Sequence, residues 1–284
     1  MNEQDNQLHE MINYLLDENG TQTALDQRSS RFQGLRYEHT DQLALPDKPW
    51  TKEDLRYIWR GLINRREPAP IEDNYLTLED AYLESVKTDR PVVSLKDISA
   101  QYAPLYLWQG DITQLNVDAI VNAANSEMLG CFIPNHHCVD NQIHTFAGVR
   151  LRLDLNEQMR HLGRKEPVGK ARMTQGYHLP AKYIFHTVGP VITGQVNKIK
   201  EQQLKNCYMS CLKLADEMNL ETIAFSSIST GQFGYPPQEA AKVAYKTVQN
   251  YLKQTNSKIQ VIFCVYDETS RGIYEELLQE ELYE

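Results

Sequence analysis

Cys131, His136 and Cys138 stand in a C-x4-H-x-C spacing inside one short run, Gly130 to Asp140. Thiolate sulfur and imidazole nitrogen are donors that zinc prefers, and zinc polarises oxygen without redox chemistry. Three protein donors leave a fourth position for water or substrate, as in catalytic sites, whereas four donors make a structural site. His137 and Asp140 both stand close enough in sequence to supply a fourth donor. The competing reading is two free thiols and a chance imidazole. Against it, thiols exposed on a loop have no packing purpose.

Two other runs have chemistry of their own. In Gly110-Asp111-Ile112-Thr113, a carboxylate just after a β-rich segment can accept from an exocyclic amine such as that of adenine, or it can simply cap the next turn. In Ser229-Thr230-Gly231-Gln232-Phe233-Gly234-Tyr235, glycines let the backbone approach a ligand, and the helix start that follows favours phosphate. Taken alone, that run is an ordinary strand-to-helix loop. Asp140, Asn141 and His144 cluster beside the cysteine run, which keeps Asp140 a candidate. Cys207 and Cys211 lie at i, i+4 on an apolar helix face and are expected in the core, as is Cys264 inside a strand. His144 and His186 are expected to be hydrogen-bonded structural histidines, and Tyr177 and His178 to be structural as well.

The elements that must position these residues change character near residue 100. Before it, Met11 to Leu16 forms an apolar patch on a helix, and Gly20 to Gly34 is a polar link. Thr51 and Asp54 make a capping-box pair, with Trp50 and Leu55 at the staple positions. Leu55, Ile58, Trp59 and Leu62 line the helix that follows, and Arg66 to Pro70 ends it. Thr77 with Asp80 is expected to start another helix, with Leu78, Tyr82 and Val86 along one side. Beyond residue 100, strands are expected at Leu105 to Gln109, Ala119 to Ala123, Lys170 to Gln175, Tyr183 to Val188, Ile223 to Ile228 and Ile259 to Tyr266. Helices are expected over Asp140 to Leu162, around Leu204 to Met218, after Pro236 and Pro237, and over Thr269 to Leu282. Such alternation implies a parallel or mixed sheet covered on both faces. Ligands then bind outside the carboxyl ends of the strands, so the three runs should converge on one crevice.

Composition agrees with this and excludes much else. The chain has 284 residues, 41% hydrophobic and 24% charged, enough for one or two domains with a core of their own. It has no run of 18 apolar residues, so no membrane span is expected. The start, MNEQDNQLHE, resembles no secretory leader. Five cysteines, an odd count, argue against a disulfide framework and for a reducing cytoplasm. A net charge of −9 argues against a general nucleic-acid binder. An anionic ligand would therefore have to be held by local amides and helix ends.

Together the segments resemble the macrodomain family. Gly110 to Thr113, followed by Val117-Asp118-Ala119-Ile120-Val121-Asn122-Ala123-Ala124-Asn125, is similar to its opening signature. Val139-Asp140 through Ile143-His144 to Ala147-Gly148 is similar to its loop-to-helix segment. Gly176 to Pro190 is similar to its central strands, and Ile228 to Pro236 to its phosphate loop. The resemblance spans residues 100–284 and implies a three-layer α/β/α macrodomain with a mixed central sheet. The domains would then be a helical N-terminal extension over 1–99 and the macrodomain over 100–284. Where hydrolytic members carry a glycine run, this chain carries Gly130 to Cys138. That loop and the extension are similar to the zinc-containing macrodomains of bacteria, a subgroup of protein-ADP-ribose hydrolases linked in some members to a sirtuin partner and lipoate-carrier proteins.

The resemblance implies roles. Asp111 would accept from the adenine amine, with Ile112 beside it, and Tyr266 would contact the adenine. Asn125 would bind the distal ribose. Gly148 and Val149 would line the diphosphate path. Ser229, Thr230, Gly231, Gln232, Phe233 and Gly234 would cradle the phosphates, and Tyr235 would cover the far end. Cys131, His136 and Cys138 would hold Zn2+. Asn125 and Asp140 would be the catalytic residues, with Asp140 as general base or as orienter of a ligand. The implied function is zinc-dependent removal of ADP-ribose from ADP-ribosylated protein, a glycosidase-type hydrolysis at the anomeric carbon of the distal ribose. The alternatives are a non-catalytic ADP-ribose reader with structural zinc and an O-acyl-ADP-ribose hydrolase.

Overall fold

A computed structural model of the chain describes residues 3–22 and 49–280. Three helices come first: α1 (Glu3–Gln22), α2 (Lys52–Arg65) and α3 (Asp73–Asp89). α1 contains the Met11 to Leu16 patch and runs three residues into the expected polar link, whose residues 23–34 lie outside the described residues. At the start of α2, Thr51 accepts from the Asp54 amide while the Asp54 carboxylate accepts from the Thr51 amide, so the expected capping box is formed. α3 starts earlier than expected. Glu72 is its N-cap, and Thr77 lies inside it, donating its hydroxyl to the Asp73 carbonyl at 2.8 Å. A threonine that bonds backward to i−4 needs no cap position, and for that reason the Thr77–Asp80 pattern misled.

The apolar stripes of the three helices bury one another. Leu8, Met11, Ile12, Leu15, Ile58, Trp59 and Tyr75 form a core of their own, which reaches the rest of the chain through Phe146 and Val149. Helical stability in a protein comes mostly from packing an apolar face rather than from propensity, so this mutual burial is what keeps them folded.

Six strands make the main sheet, in the order β2 (Leu105–Gln109), β8 (Gln260–Val265), β7 (Thr222–Phe225), β4 (Ala119–Ala124), β6 (Tyr183–Val188) and β5 (Ala171–Gln175). All neighbours are parallel except β5, which is antiparallel to β6. Alternate residues face two different cores. Val121, Phe185, Phe225 and Phe263 pack under α6 (Lys198–Glu217), α7 (Pro237–Thr255) and α8 (Glu268–Glu280). Ile120, Ile184, Ala224 and Ile262 pack under α4 (Val139–Ala147) and α5 (Val149–Leu162). This is the expected three-layer arrangement with a mixed sheet. Cys207 and Cys211 are fully buried in the first of these cores. A two-residue parallel pair, β1 (Val93–Ser94) with β3 (Leu115–Asn116), was not foreseen, because two residues carry no periodicity.

Three boundaries differ in ways that matter for the site. The helix expected over Asp140 to Leu162 is two helices, broken at Gly148, whose φ of 89° is a conformation that side chains disfavour. β7 stops at Phe225, which frees Ser226 to Ile228 for the loop above it. The last helix runs to Glu280, and residues beyond lie outside those described. Among the described residues no helix is long and apolar enough to cross a membrane.

Candidate active site

A cavity of about 970 Å³ opens at the carboxyl ends of β2, β8, β7 and β4. That is the upper end of the usual range for small-molecule sites, about 300–1,000 Å³. The three runs do converge on it: Asp111 and Ile112, Asn125 and the Gly130 to Asp140 loop, and Ser229 to Phe233 all line it.

In the loop after β4, donor atoms of Cys131, His136 and Cys138 all lie within 4.8 Å of one another. Cys131 Sγ is 3.6 Å from His136 Nδ1. Donors around a tetrahedral zinc are separated by about 3.5–3.8 Å, so the set fits the ion. Among the described residues neither His137 nor Asp140 joins the group, which leaves three donors facing the cavity. Hydrogen bonding from Cys138 lowers the pKa of the Cys131 thiol, while the same contact, burial and the nearby Asp140 raise that of Cys138. Side by side, the thiols favour one thiolate and resist a second. A bound dication would remove that resistance.

Many bonds hold this loop. Cys138 Sγ caps α4 by accepting from the Asn141 amide at 3.4 Å. Asn141 Nδ2 donates to the Ile133 carbonyl at 3.0 Å. From α2, Arg60 donates to the His136 carbonyl at 2.8 Å and to Asn141 Oδ1 at 2.8 Å. Asn64 Oδ1 accepts from the Asn135 amide at 2.9 Å. Arg152 on α5 donates to the Leu129 carbonyl at 2.7 Å and stacks over Phe132. Asn125 Nδ2 donates to the Gly130 carbonyl at 3.0 Å, and its Oδ1 accepts from the Glu127 amide at 3.0 Å. Each atom keeps capacity for one more partner, and Asn125 faces the cavity.

Asp140 lies under the metal loop, 5% exposed at the cavity wall. Its Oδ1 accepts from Asn122 Nδ2 at 2.7 Å. Burial pushes its pKa up to about 6, against the pull of the Asn122 bond and the Arg152 charge. His144 Nε2 lies 3.6 Å from Asp140 Oδ1, and among the described residues neither ring nitrogen has a hydrogen-bond partner, so the expectation of a bonded histidine is not met there. The ring is instead packing material. A Cβ at residue 130 would come within 2.8 Å of it, and the φ of 85° there also calls for glycine. His186 meets its expectation, paired with Asn122 and Thr174 at 3.1 and 3.0 Å and kept neutral by burial, with a pKa near 3. Tyr177 and His178 are structural too, bonded to Asp154 and Asp80.

The loop after β7 is built from backbone. Gly234 and Tyr235 amides turn back to the Gly231 and Ser229 carbonyls at 2.9 and 3.0 Å. Among the described residues, the amides of Gly231, Gln232 and Phe233 donate to no group of the chain. Consecutive free amides before a helix form an anion cradle. Gln232 Nε2 lies 3.2 Å from His136 Nε2, bridging this loop to the metal loop. Across the cavity, Asp111 both caps and faces the ligand space. Its Oδ1 accepts from the Thr113 amide at 3.0 Å, and its Oδ2 pairs with Arg90 at 2.6 Å. Ile112 is buried beneath it, and Tyr266, 81% exposed, stands at the same end. Cys264 is in the core as expected but also reaches the cavity wall.

Four expected site residues are not brought to the cavity. Gly148 and Val149 turn toward α3, where the Glu79 carboxylate accepts from the Val149 amide at 3.0 Å. An amide already occupied by a buried carboxylate is not available to a diphosphate. Tyr235 is 1% exposed and packs into the core under α6 and α7, with Gly234 turning the chain behind the cradle. Conversely, Gly189, Ser226, Ser227, Phe132, Arg65 and Glu67 line the cavity and were not foreseen. Early termination of β7 accounts for the serines. Arg65 and Glu67 arrive only because α2 docks on the metal loop, and no local pattern signals that.

This sheet order, with an anion cradle and a carboxylate at opposite walls of one cavity, defines a macrodomain. The Macro domain family model matches residues 121–244. The chain is 50% identical over 230 residues to the protein-ADP-ribose hydrolase of Staphylococcus aureus strain MRSA252, covering 80% of this chain and 86% of that protein. It belongs to the macrodomain family. Among solved structures it is similar to a variant of the Oceanobacillus iheyensis macrodomain with ADPR, at 37% identity and TM-score 0.58, covering 63% of this chain and 94% of that one. It is also similar to the Trypanosoma brucei macrodomain in complex with ADP, at 28% identity and TM-score 0.59, covering 78% and 95%. The relatives it matches over most of its length are named protein-ADP-ribose hydrolases.

Proposed function

We propose that the chain removes ADP-ribose from modified protein by hydrolysis at the anomeric carbon of the distal ribose, with Zn2+ held by Cys131, His136 and Cys138. The observation that carries this reading is the three-donor group in the wall of the cavity, beside Asn125 and Asp140. Zinc at these residues would supply a Lewis acid for a ribose hydroxyl or a water. The free amides of Gly231, Gln232 and Phe233 hold the diphosphate. Asp111, Ile112 and Tyr266 hold the adenine at the β2–β8 end. Asn125 orients the distal ribose with the lone pair and the amide hydrogen that the loop leaves unused.

The acceptor bond then faces Arg65, Glu67 and Phe132, where the N-terminal helices meet the cavity. Water attacks the anomeric carbon as the bond to the acceptor breaks through an oxocarbenium-like state; Asp140 takes the water's proton, and the departing acceptor atom takes up a proton from solvent. The five cysteines are unpaired, which suits a reducing compartment such as the cytoplasm. The test is release of ADP-ribose from a modified protein before and after chelation, with zinc then restored. A lipoate-carrier protein is the first acceptor to try. Loss on chelation and recovery with zinc are expected. Release that ignores the chelator would remove zinc from the mechanism.

A further inference from the structure

We propose that helix α2 is a clamp for the metal loop. Arg60 and Asn64 act as positioning residues that pre-shape Cys131 to Cys138, so that metal affinity depends on the N-terminal helices. The proposal rests on the metal reading above and goes beyond it, because Arg60 and Asn64 hold the loop through its backbone and Asn141 rather than through a zinc-donor atom.

The geometry is specific. Arg60 and Asn64 are four residues apart on α2 and therefore share a face. The opposite face, with Leu55, Ile58, Trp59 and Leu62, is committed to the core formed with α1 and α3. The helix thus presents a fixed polar edge from a rigid base. From that edge Arg60 Nη2 donates to the His136 carbonyl at 2.8 Å, and Arg60 Nε and Nη2 converge on Asn141 Oδ1 at 3.3 and 2.8 Å. Asn141 passes the restraint on, donating to the carbonyls of Ile133 and Cys131 at 3.0 and 3.5 Å. Asn64 accepts from the Asn135 amide at 2.9 Å and donates to Thr145 on α4 at 3.1 Å. Peptide groups of Cys131, Ile133, Asn135 and His136 are all held, two of them through Asn141.

A loop held in this way has already lost the freedom that metal binding would otherwise have to remove. Linkage makes the effect reciprocal: whatever α2 does for the metal, the metal does for α2.

The test uses the full chain loaded with Zn2+ and titrated against a chromophoric chelator, with no substrate present. Arg60→Ala should bind zinc about 10- to 100-fold more weakly, the usual cost of losing a partner behind a ligand. Arg60→Lys should remain weakened, because an ammonium cannot span both acceptors. In the wild-type protein, adding Zn2+ should slow hydrogen exchange along α2, a readout that needs no variant to fold. Equal zinc affinity in Arg60→Ala and wild type, or α2 exchange indifferent to zinc, overturns the clamp and leaves the proposed reaction standing. A wild-type chain that binds no zinc overturns the metal reading and the clamp with it, while ADP-ribose release is scored separately.

Discussion

The two loops that face each other across the cavity are held by opposite means. The loop from Ser229 to Tyr235 is shaped by its own backbone bonds and offers amides. The loop from Gly130 to Asp140 is shaped by side chains of α2, α4 and α5 and offers thiols and an imidazole. The difference teaches where each function is vulnerable. A backbone cradle survives side-chain changes, because each residue brings the same N–H. A donor set made of side chains, on a loop held by other side chains, fails when any one member is removed.

The sharpest way to break the contrast is Cys138→Ala. Losing one zinc donor should reduce release of ADP-ribose from modified protein by at least about a hundredfold, since metal assistance contributes several kcal/mol. Affinity for free ADP-ribose, measured by calorimetry, should persist, because the cradle does not depend on the thiol. Full turnover in metal-free Cys138→Ala would end the distinction.

The second test addresses the seam between the N-terminal helices and the sheet domain. Glu79 is buried there, and burial pushes its pKa from 4.5 to about 7. Below about pH 4.5 it is protonated in both folded and unfolded chains and imposes no penalty. Between 4.5 and about 7 the unfolded chain gives up the proton while the folded chain keeps it, so stability falls as pH rises. Above that the deficit is constant, up to roughly 3 kcal/mol. Glu79→Gln keeps an acceptor for the Val149 amide and should flatten that part of the stability profile. Chemical denaturation at pH 5 and pH 8 would show it, and an unchanged slope would mean that Glu79 stays ionised in the fold.

Smaller effects separate the ends of the cavity. Arg65 lines it from the last turn of α2 with its side chain exposed. Arg65→Ala should raise KM for a modified protein about three- to tenfold, the scale of one lost hydrogen bond. Affinity for free ADP-ribose should not move. An equal loss on both would place Arg65 at the nucleotide rather than at the acceptor. Gln232→Ala removes an exposed side chain and leaves its amide in place, so ADP-ribose affinity should change only about two- to threefold. A loss beyond tenfold would show that the cradle works through its side chain after all.

Much of this was legible in residue order. The strand–helix alternation located the sheet, since buried strands and one-sided helices carry their own periodicities. The capping box at Thr51 and Asp54 and the buried thiols at Cys207 and Cys211 lie where local pattern put them. The break at Gly148 was not legible, because apolar residues continue in register on both sides of it. Nor was the burial of Tyr235, since a tyrosine after a glycine-containing loop looks the same whether it points to ligand or to core.

The sequence by itself determined the kinds of atom available: two thiols and an imidazole within eight residues, and glycine-bearing turns after strands. These are local facts, set by spacing and backbone preference. The tertiary structure alone decided which of those atoms meet. It left the donor group at three, turned the Val149 amide toward Glu79, and brought Arg60 and Asn64 from a separate helical core onto the metal loop and Arg65 to the cavity wall. The physical reason is sequence distance. Arg60 and His136 are 76 residues apart, and no short-range pattern encodes a contact that forms only when two independently packed cores dock.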